Sequence, residues 1–144
     1  MKNKFFIGFC IFCIVCTGEV FSAATQEQME SMSNGLRRTC VNKLGITTAD
    51  IEGIRVGNFV DSPGARCYVK CVMGLMKTFT KQGTIDIDVL VKQIGIMTPS
   101  TIGKKLIEGA KTCYDEVSSD DPCELAWMFT KCTYLKGPDS FFFP

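Results

Sequence analysis

Six cysteines, Cys40, Cys67, Cys71, Cys113, Cys123 and Cys132, constrain this chain more than any other feature. What they do depends on the redox compartment, and the first residues point to it. Met1-Lys-Asn-Lys4 precedes an apolar run from Phe5 to Val15. That run is shorter than the roughly 20 residues a spanning helix needs and has the charged start and small-residue exit of a secretory signal. With cleavage before Thr25, Ser22 and Ala24 occupy the −3 and −1 places, the bond being placed to within about two residues. Residues 1–24 are therefore expected to be a signal peptide and 25–144 one mature domain. Cys10, Cys13 and Cys16 leave with the leader. An even set of six in an exported chain predicts three disulfide bridges.

Composition then narrows the chemistry. The chain has no histidine, which removes the usual general base, zinc nitrogen ligand and pH switch together. No Ser-His or Cys-His pair exists, and oxidised cysteines are not nucleophiles. Asp86 and Asp88 read as helix capping and a solvated face rather than a catalytic pair, and Cys67-x3-Cys71 lacks further ligands at zinc spacing. The expectation is no enzyme, no catalytic residue, no metal and no cofactor. The leader carries Lys2, Lys4 and Glu19, so the 16 basic and 15 acidic residues of the whole chain become equal in number once it is removed. A neutral domain is not steered to nucleic acid or to anionic membrane, and no stable membrane insertion is expected. Arg37, Arg38, Lys104 and Lys105 read as solvated faces, and no Asn-x-Ser/Thr sequon occurs.

Apolar periodicity over the mature chain predicts six helices and an all-α domain. The first runs from about Gln26 to Lys43, with Met29, Met32, Leu36 and Cys40 on one face, and stops at Gly45. The second, about Thr48 to Val56, is capped by Thr47 or Thr48 and closed by Gly57. Ser62-Pro63 opens the third, which continues to about Lys81 before Gly83. A fourth spans about Asp86 to Ile94, with a strand over Ile85 to Val91 as the rival reading. The fifth runs from Pro99 or Ser100 to about Glu116, with Ile102, Leu106, Ala110 and Cys113 on one stripe. The sixth starts at Asp121-Pro122 and ends near Lys136 before Gly137-Pro138, leaving a tail to Pro144.

Cys67 and Cys71 lie four apart, so both leave one face of the third helix and each can tie it to a different neighbour. Six cysteines allow fifteen pairings, and spacing does not choose among them. The pattern Cys40-x26-Cys67-x3-Cys71-x41-Cys113-x9-Cys123-x8-Cys132, behind a signal and on six helices, resembles the insect odorant-binding protein family over the whole mature chain. Arg55-Val-Gly-Asn-Phe59, Cys67-Tyr-Val-Lys-Cys71 and the aromatic ending look most like its LUSH-like members. The resemblance implies the bridges Cys40–Cys71, Cys67–Cys123 and Cys113–Cys132. It also implies a six-helix odorant-binding domain over 25–144, interlocked by those bridges around an apolar cavity.

By position in the family's pattern, the ligand-binding candidates are Leu36 on the first helix and Val69, Met73, Met76 and Thr78 on the third. Ile85, Ile94, Met97 and Leu106 follow on the fourth and fifth, and Ala126, Thr130 and Thr133 on the sixth. Unbranched methionines would let such a pocket adapt to several ligands. Thr78, Thr130 and Thr133 could each offer a hydroxyl, against the plain alternative that a helical threonine bonds back to its own helix. Several members place an aromatic just after the sixth cysteine, where this chain has Thr133, so Phe142 or Phe143 is expected to supply the missing wall. Three exposed phenylalanines would burden solubility, and Phe141–Phe143 are therefore expected to fold back and plug the cavity rather than dock outside it. With no histidine, any acid-triggered opening would rest on side-chain carboxylates or the terminal carboxyl and fall below about pH 5.

The resemblance implies a secreted carrier of small hydrophobic odorants or pheromones, working in sensillar lymph with an olfactory receptor as its partner. A non-olfactory hydrophobic-ligand or lipid carrier of the same fold is the alternative, and a saposin-like membrane-active protein a more distant one that zero net charge disfavours. Nothing in the chain separates a monomer from a weak homodimer.

Overall fold

A computed structural model describes residues 26–144; the expected leader at 1–24 lies outside them. Five α-helices order the described residues: α1 (Gln26–Leu44), α2 (Pro63–Leu75), α3 (Ile87–Met97), α4 (Ser100–Glu116) and α5 (Pro122–Lys136). The expected starts are occupied by the expected caps. Ser62 accepts from the Ala65 N–H with Pro63 behind it, Asp86 from Val89, and Asp121 from both Cys123 and Glu124. Each cap satisfies N–H groups that the first helical turn leaves without partners.

Two elements differ from expectation. The second helix is a pair of 3-10 turns, Thr48–Asp50 and Glu52–Val56. The segment is too short to repay nucleation of an α-helix, and its two buried anchors, Ile51 and Ile54, lie three apart, the repeat of a 3-10 turn. The third helix, α2, ends at Leu75 rather than Lys81. Lys77 takes a left-handed φ of 64°, its N–H bonds to the Gly74 carbonyl, and the Thr78 N–H bonds to that of Met73, which is a Schellman ending. Beyond it the chain doubles back, with Thr80 N–H to Thr84 at 2.8 Å and Asp86 N–H to Thr78 at 2.9 Å. One antiparallel bridge pairs Phe79 with Ile85. The strand signal at Ile85 thus marks a turn that leads into α3.

Three disulfides join Cys40 to Cys71, Cys67 to Cys123 and Cys113 to Cys132. They tie α1 to α2, α2 to α5 and α4 to α5, which are also the pairs that pack together, while α3 packs on α4 without a bridge. Each closed loop contributes on the order of 2–4 kcal/mol by restricting the unfolded chain, not additively. The core between them holds Tyr68, Val69, Val72, Trp127 and Phe129, with Ile51 and Ile54. Among the described residues no helix is long and apolar enough to cross a membrane.

Candidate ligand-binding cavity

The packed core does not fill the space enclosed by α2 to α5 and the tail. A cavity of about 730 Å³ remains, walled by Met73 and Met76 of α2, Leu90, Ile94 and Met97 of α3, Ile102, Leu106 and Ala110 of α4, and Phe129, Thr130 and Thr133 of α5. Thr78 adds a wall just past the end of α2, and Phe141, Phe142, Phe143 and Pro144 form another. The lining is chiefly apolar, with Arg55, Glu30 and Asp139 among its charged residues. Those three side chains sit at exposed positions.

Ten sequence candidates therefore share one cavity: Met73, Met76, Thr78, Ile94, Met97, Leu106, Thr130, Thr133, Phe142 and Phe143. Four do not line it. Val69 is wholly enclosed in the packed part of the core. Ala126 is equally enclosed and has only a methyl group to extend. Leu36 packs against the core's edge, and α1 sends Met29 and Glu30 to the cavity instead. Ile85 pairs with Phe79 and faces a separate depression of about 280 Å³ with Tyr114, Val117 and Leu125. The shortened α2 explains this last displacement, because the reversal after Lys77 reorients everything up to Asp86.

Leu90, Gln93, Ile102, Ala110 and Phe129 line the cavity without having been singled out as ligand contacts. The signal was present in the stripes Leu90-Ile94-Met97 and Ile102-Leu106-Ala110, whose i, i+4, i+7 and i, i+4, i+8 spacing puts each set on one face. Arg37 corrects another expectation. It is half-buried, and its Nε and Nη2 atoms are enclosed with no hydrogen-bond partner. Arg38, Lys104 and Lys105 are exposed as expected.

The tail folds back but forms a wall rather than a plug, since the cavity persists beside it. Phe141 packs edge-on against Tyr134 at 5.2 Å and against Phe59 at 6.3 Å. Phe59 in turn meets Trp127 at 5.3 Å. Phe143 stacks on Phe141 and meets Tyr68 edge-on, both at 6.3 Å. Phe143 is 7 % exposed and Phe142 38 %. Burial pushes the Tyr68 phenol up to about 12, against a smaller opposing pull from Arg37 and Arg55.

The hydroxyls of the three candidate threonines are used differently. Thr133 donates to the Thr130 carbonyl at 2.8 Å, three residues back on α5. Thr78 donates to the Met73 carbonyl at 3.2 Å. Thr130 reaches only the Met73 sulfur, at 3.9 Å. No group of three or more metal-ligating side chains occurs among the described residues.

A family model described as PBP/GOBP matches residues 22–136, ending just before the tail. General odorant-binding protein 72 of Anopheles gambiae is 29% identical over 121 residues, covering 83% of this chain and 98% of that protein. General odorant-binding protein 19a of Drosophila melanogaster is 27% identical over 115 residues, covering 77% and 78%. Among solved structures, odorant binding protein 5 of Apis mellifera is similar with a TM-score of 0.76 at 32% identity, covering 85% of this chain and all of that one. Odorant binding protein 4 of the predator Chrysopa pallens gives 0.73 at 30%, covering 84% and 99%.

Proposed function

Because the chain belongs to the PBP/GOBP family, we propose that it is a secreted carrier which takes one small hydrophobic odorant or pheromone from water into the cavity and delivers it to an olfactory receptor. The mature carrier is residues 25–144. The observation that carries this reading is the apolar-lined cavity of about 730 Å³, a volume in the range of small-molecule pockets. Burying about 300 Å² of apolar ligand surface at about 25 cal/mol per Å² gives roughly 7 kcal/mol, which corresponds to micromolar binding before immobilisation is counted.

The residues divide the work. Met73, Met76 and Met97 supply flexible, polarisable contacts that conform to ligands of different outline. Ile94, Leu106, Phe142 and Phe143 exclude water, and Thr78 and Thr133, whose hydroxyls are bonded to backbone carbonyls, complete the wall beside Thr130. The bridges hold α1, α2, α4 and α5 in place, so the shell does not collapse when the centre is empty of side chains.

Titration of the oxidised mature chain with N-phenyl-1-naphthylamine tests the proposal. One saturable site, emptied by long-chain apolar competitors, is expected. Absence of saturable binding, or leakage of anionic vesicles in its place, would refute the carrier reading. Transcript in olfactory tissue is expected for an olfactory role, and transcript confined to other tissues would move the same carrier outside olfaction.

A further inference from the structure

Resting on the carrier reading, we infer that Thr130 is the residue that selects the ligand's chemistry, donating its hydroxyl hydrogen to a carbonyl-type oxygen (aldehyde, ketone or ester) carried on an apolar skeleton. The inference stands on a comparison of the threonine hydroxyls and the glutamine amide that line the cavity from the helices and their ends; the one other hydroxyl of the lining, Ser140, is half-buried in the tail beside the exposed Asp139. Thr78 donates to the Met73 carbonyl, Thr133 to the Thr130 carbonyl, and Thr98 to the Ile94 carbonyl at 2.7 Å. The Gln93 amide nitrogen donates to the Met76 carbonyl, also at 2.7 Å. Each of these donors has a strong backbone acceptor. Thr130 is 3 % exposed, lines the cavity, and faces only the thioether of Met73 at 3.9 Å.

A thioether is a weak acceptor, and 3.9 Å is the outer edge of any hydrogen bond it can make. A buried hydroxyl without a good partner carries a desolvation penalty that a suitable oxygen would remove. The oxygen of an incoming carbonyl has the complementary problem, since it loses its water on entering an apolar cavity. Bonding to Thr130 solves both at once. Met73 also lines the cavity, and its unbranched side chain can yield the hydroxyl to a ligand oxygen without disturbing the backbone. A pure hydrocarbon gains nothing from Thr130.

The test is the displacement of N-phenyl-1-naphthylamine by a matched pair of equal chain length, a linear methyl ketone and the corresponding alkane, on the mature protein and on Thr130→Val and Thr133→Val. Valine keeps the branched shape and removes only the hydroxyl. Thr130→Val is expected to weaken the ketone by roughly three- to tenfold, the worth of one neutral hydrogen bond, while alkane affinity holds or rises. Thr133→Val is expected to leave the ketone-to-alkane ratio unchanged. An unchanged ratio in Thr130→Val, or the same loss in Thr133→Val, overturns the assignment while leaving the carrier intact. If neither competitor displaces the probe from the unaltered protein, the carrier reading itself fails and the assignment falls with it. Thermal unfolding of each variant, followed through the buried Trp127, separates misfolding from lost recognition; if Thr130→Val unfolds, Thr130→Ser is expected to retain the ketone preference, and its loss there overturns the assignment.

Discussion

The hydroxyl of Tyr68, on the helix that carries two of the disulfides, donates a 2.9 Å hydrogen bond to the main-chain oxygen of Pro144, 76 residues further along the chain. Both partners are buried. This bond and the Phe143 ring above it hold the tail against the most constrained part of the shell. The tail is thereby a fixed wall of the cavity.

Tyr68→Phe keeps the ring and the contact with Phe143 but leaves the Pro144 main-chain oxygen without its donor. The expected cost is about 1–2 kcal/mol in denaturant unfolding. Because the loss is at the wall, the bound probe should also dissociate several-fold faster in stopped-flow measurements. A stability loss with unchanged dissociation would mean that the tail does not bound the ligand.

Two left-handed glycines and one left-handed lysine make a matched set. Gly45 has φ +64° with open space around a would-be Cβ, whereas at Gly57, φ +79°, that atom would fall inside the Tyr134 ring. Gly45→Ala should cost about 1 kcal/mol from backbone strain alone, and Gly57→Ala distinctly more. Lys77→Gly, at φ 64°, should stabilise by roughly 0.5–1 kcal/mol through relief of the same strain. Denaturant midpoints of the three variants check the order.

What the sequence discloses follows from which interactions are local. Caps and stops such as Ser62-Pro63, Asp121-Pro122 and Gly137-Pro138 act within a few residues, and each helix end that they mark lies within a residue or two of expectation. The Schellman ending at Lys77 was not legible, because lysine carries no signal for a left-handed φ and the apolar stripe continues past it to Phe79. Misplacing Ile85 follows directly from that. Val69 and Ala126 lie on the same helices as true lining residues, and only packing depth separates them, which periodicity does not encode. The disulfide pairing came through family resemblance, since fifteen pairings fit the spacing equally.

Acid sensitivity should come from caps and surface pairs. Hydrogen bonds from the Glu124 and Cys123 N–H groups hold the Asp121 carboxyl below its ordinary 3.8, the Thr47 hydroxyl and N–H lower Asp50, and the Arg66 guanidinium lowers Asp61. A carboxyl whose pKa is lower in the folded state stabilises above its unfolded pKa and loses that contribution as pH falls through the folded value. With no histidine, the melting temperature should stay flat from pH 8 to about 5 and decline below about 4. At the alkaline end the sign reverses in origin. Tyr68 is pushed from 10.0 to about 12, so the folded state keeps a proton the unfolded chain has lost, and stability should fall as pH rises between those values. Thermal scans across pH check both limbs; a transition between pH 7 and 6 would contradict this account.

Helix α3 supplies cavity wall yet has no disulfide and no fully buried residue. Its amides should exchange with deuterium faster than those of α2 and α5, because local opening there exposes little core. Saturating ligand should slow α3 selectively. Uniform slowing of all helices would instead point to global stabilisation.

The most direct test of an enclosed ligand uses the methionines as reporters. Met73, Met76 and Met97 line the cavity, whereas the Met32 and Met128 side chains are exposed and outside its lining. In the protein labelled with carbon-13 at methionine methyls, one equivalent of an apolar ligand should shift the Met73, Met76 and Met97 resonances and leave those of Met32 and Met128 in place. Shifts confined to Met32 and Met128 would place the ligand on the surface and contradict the carrier account.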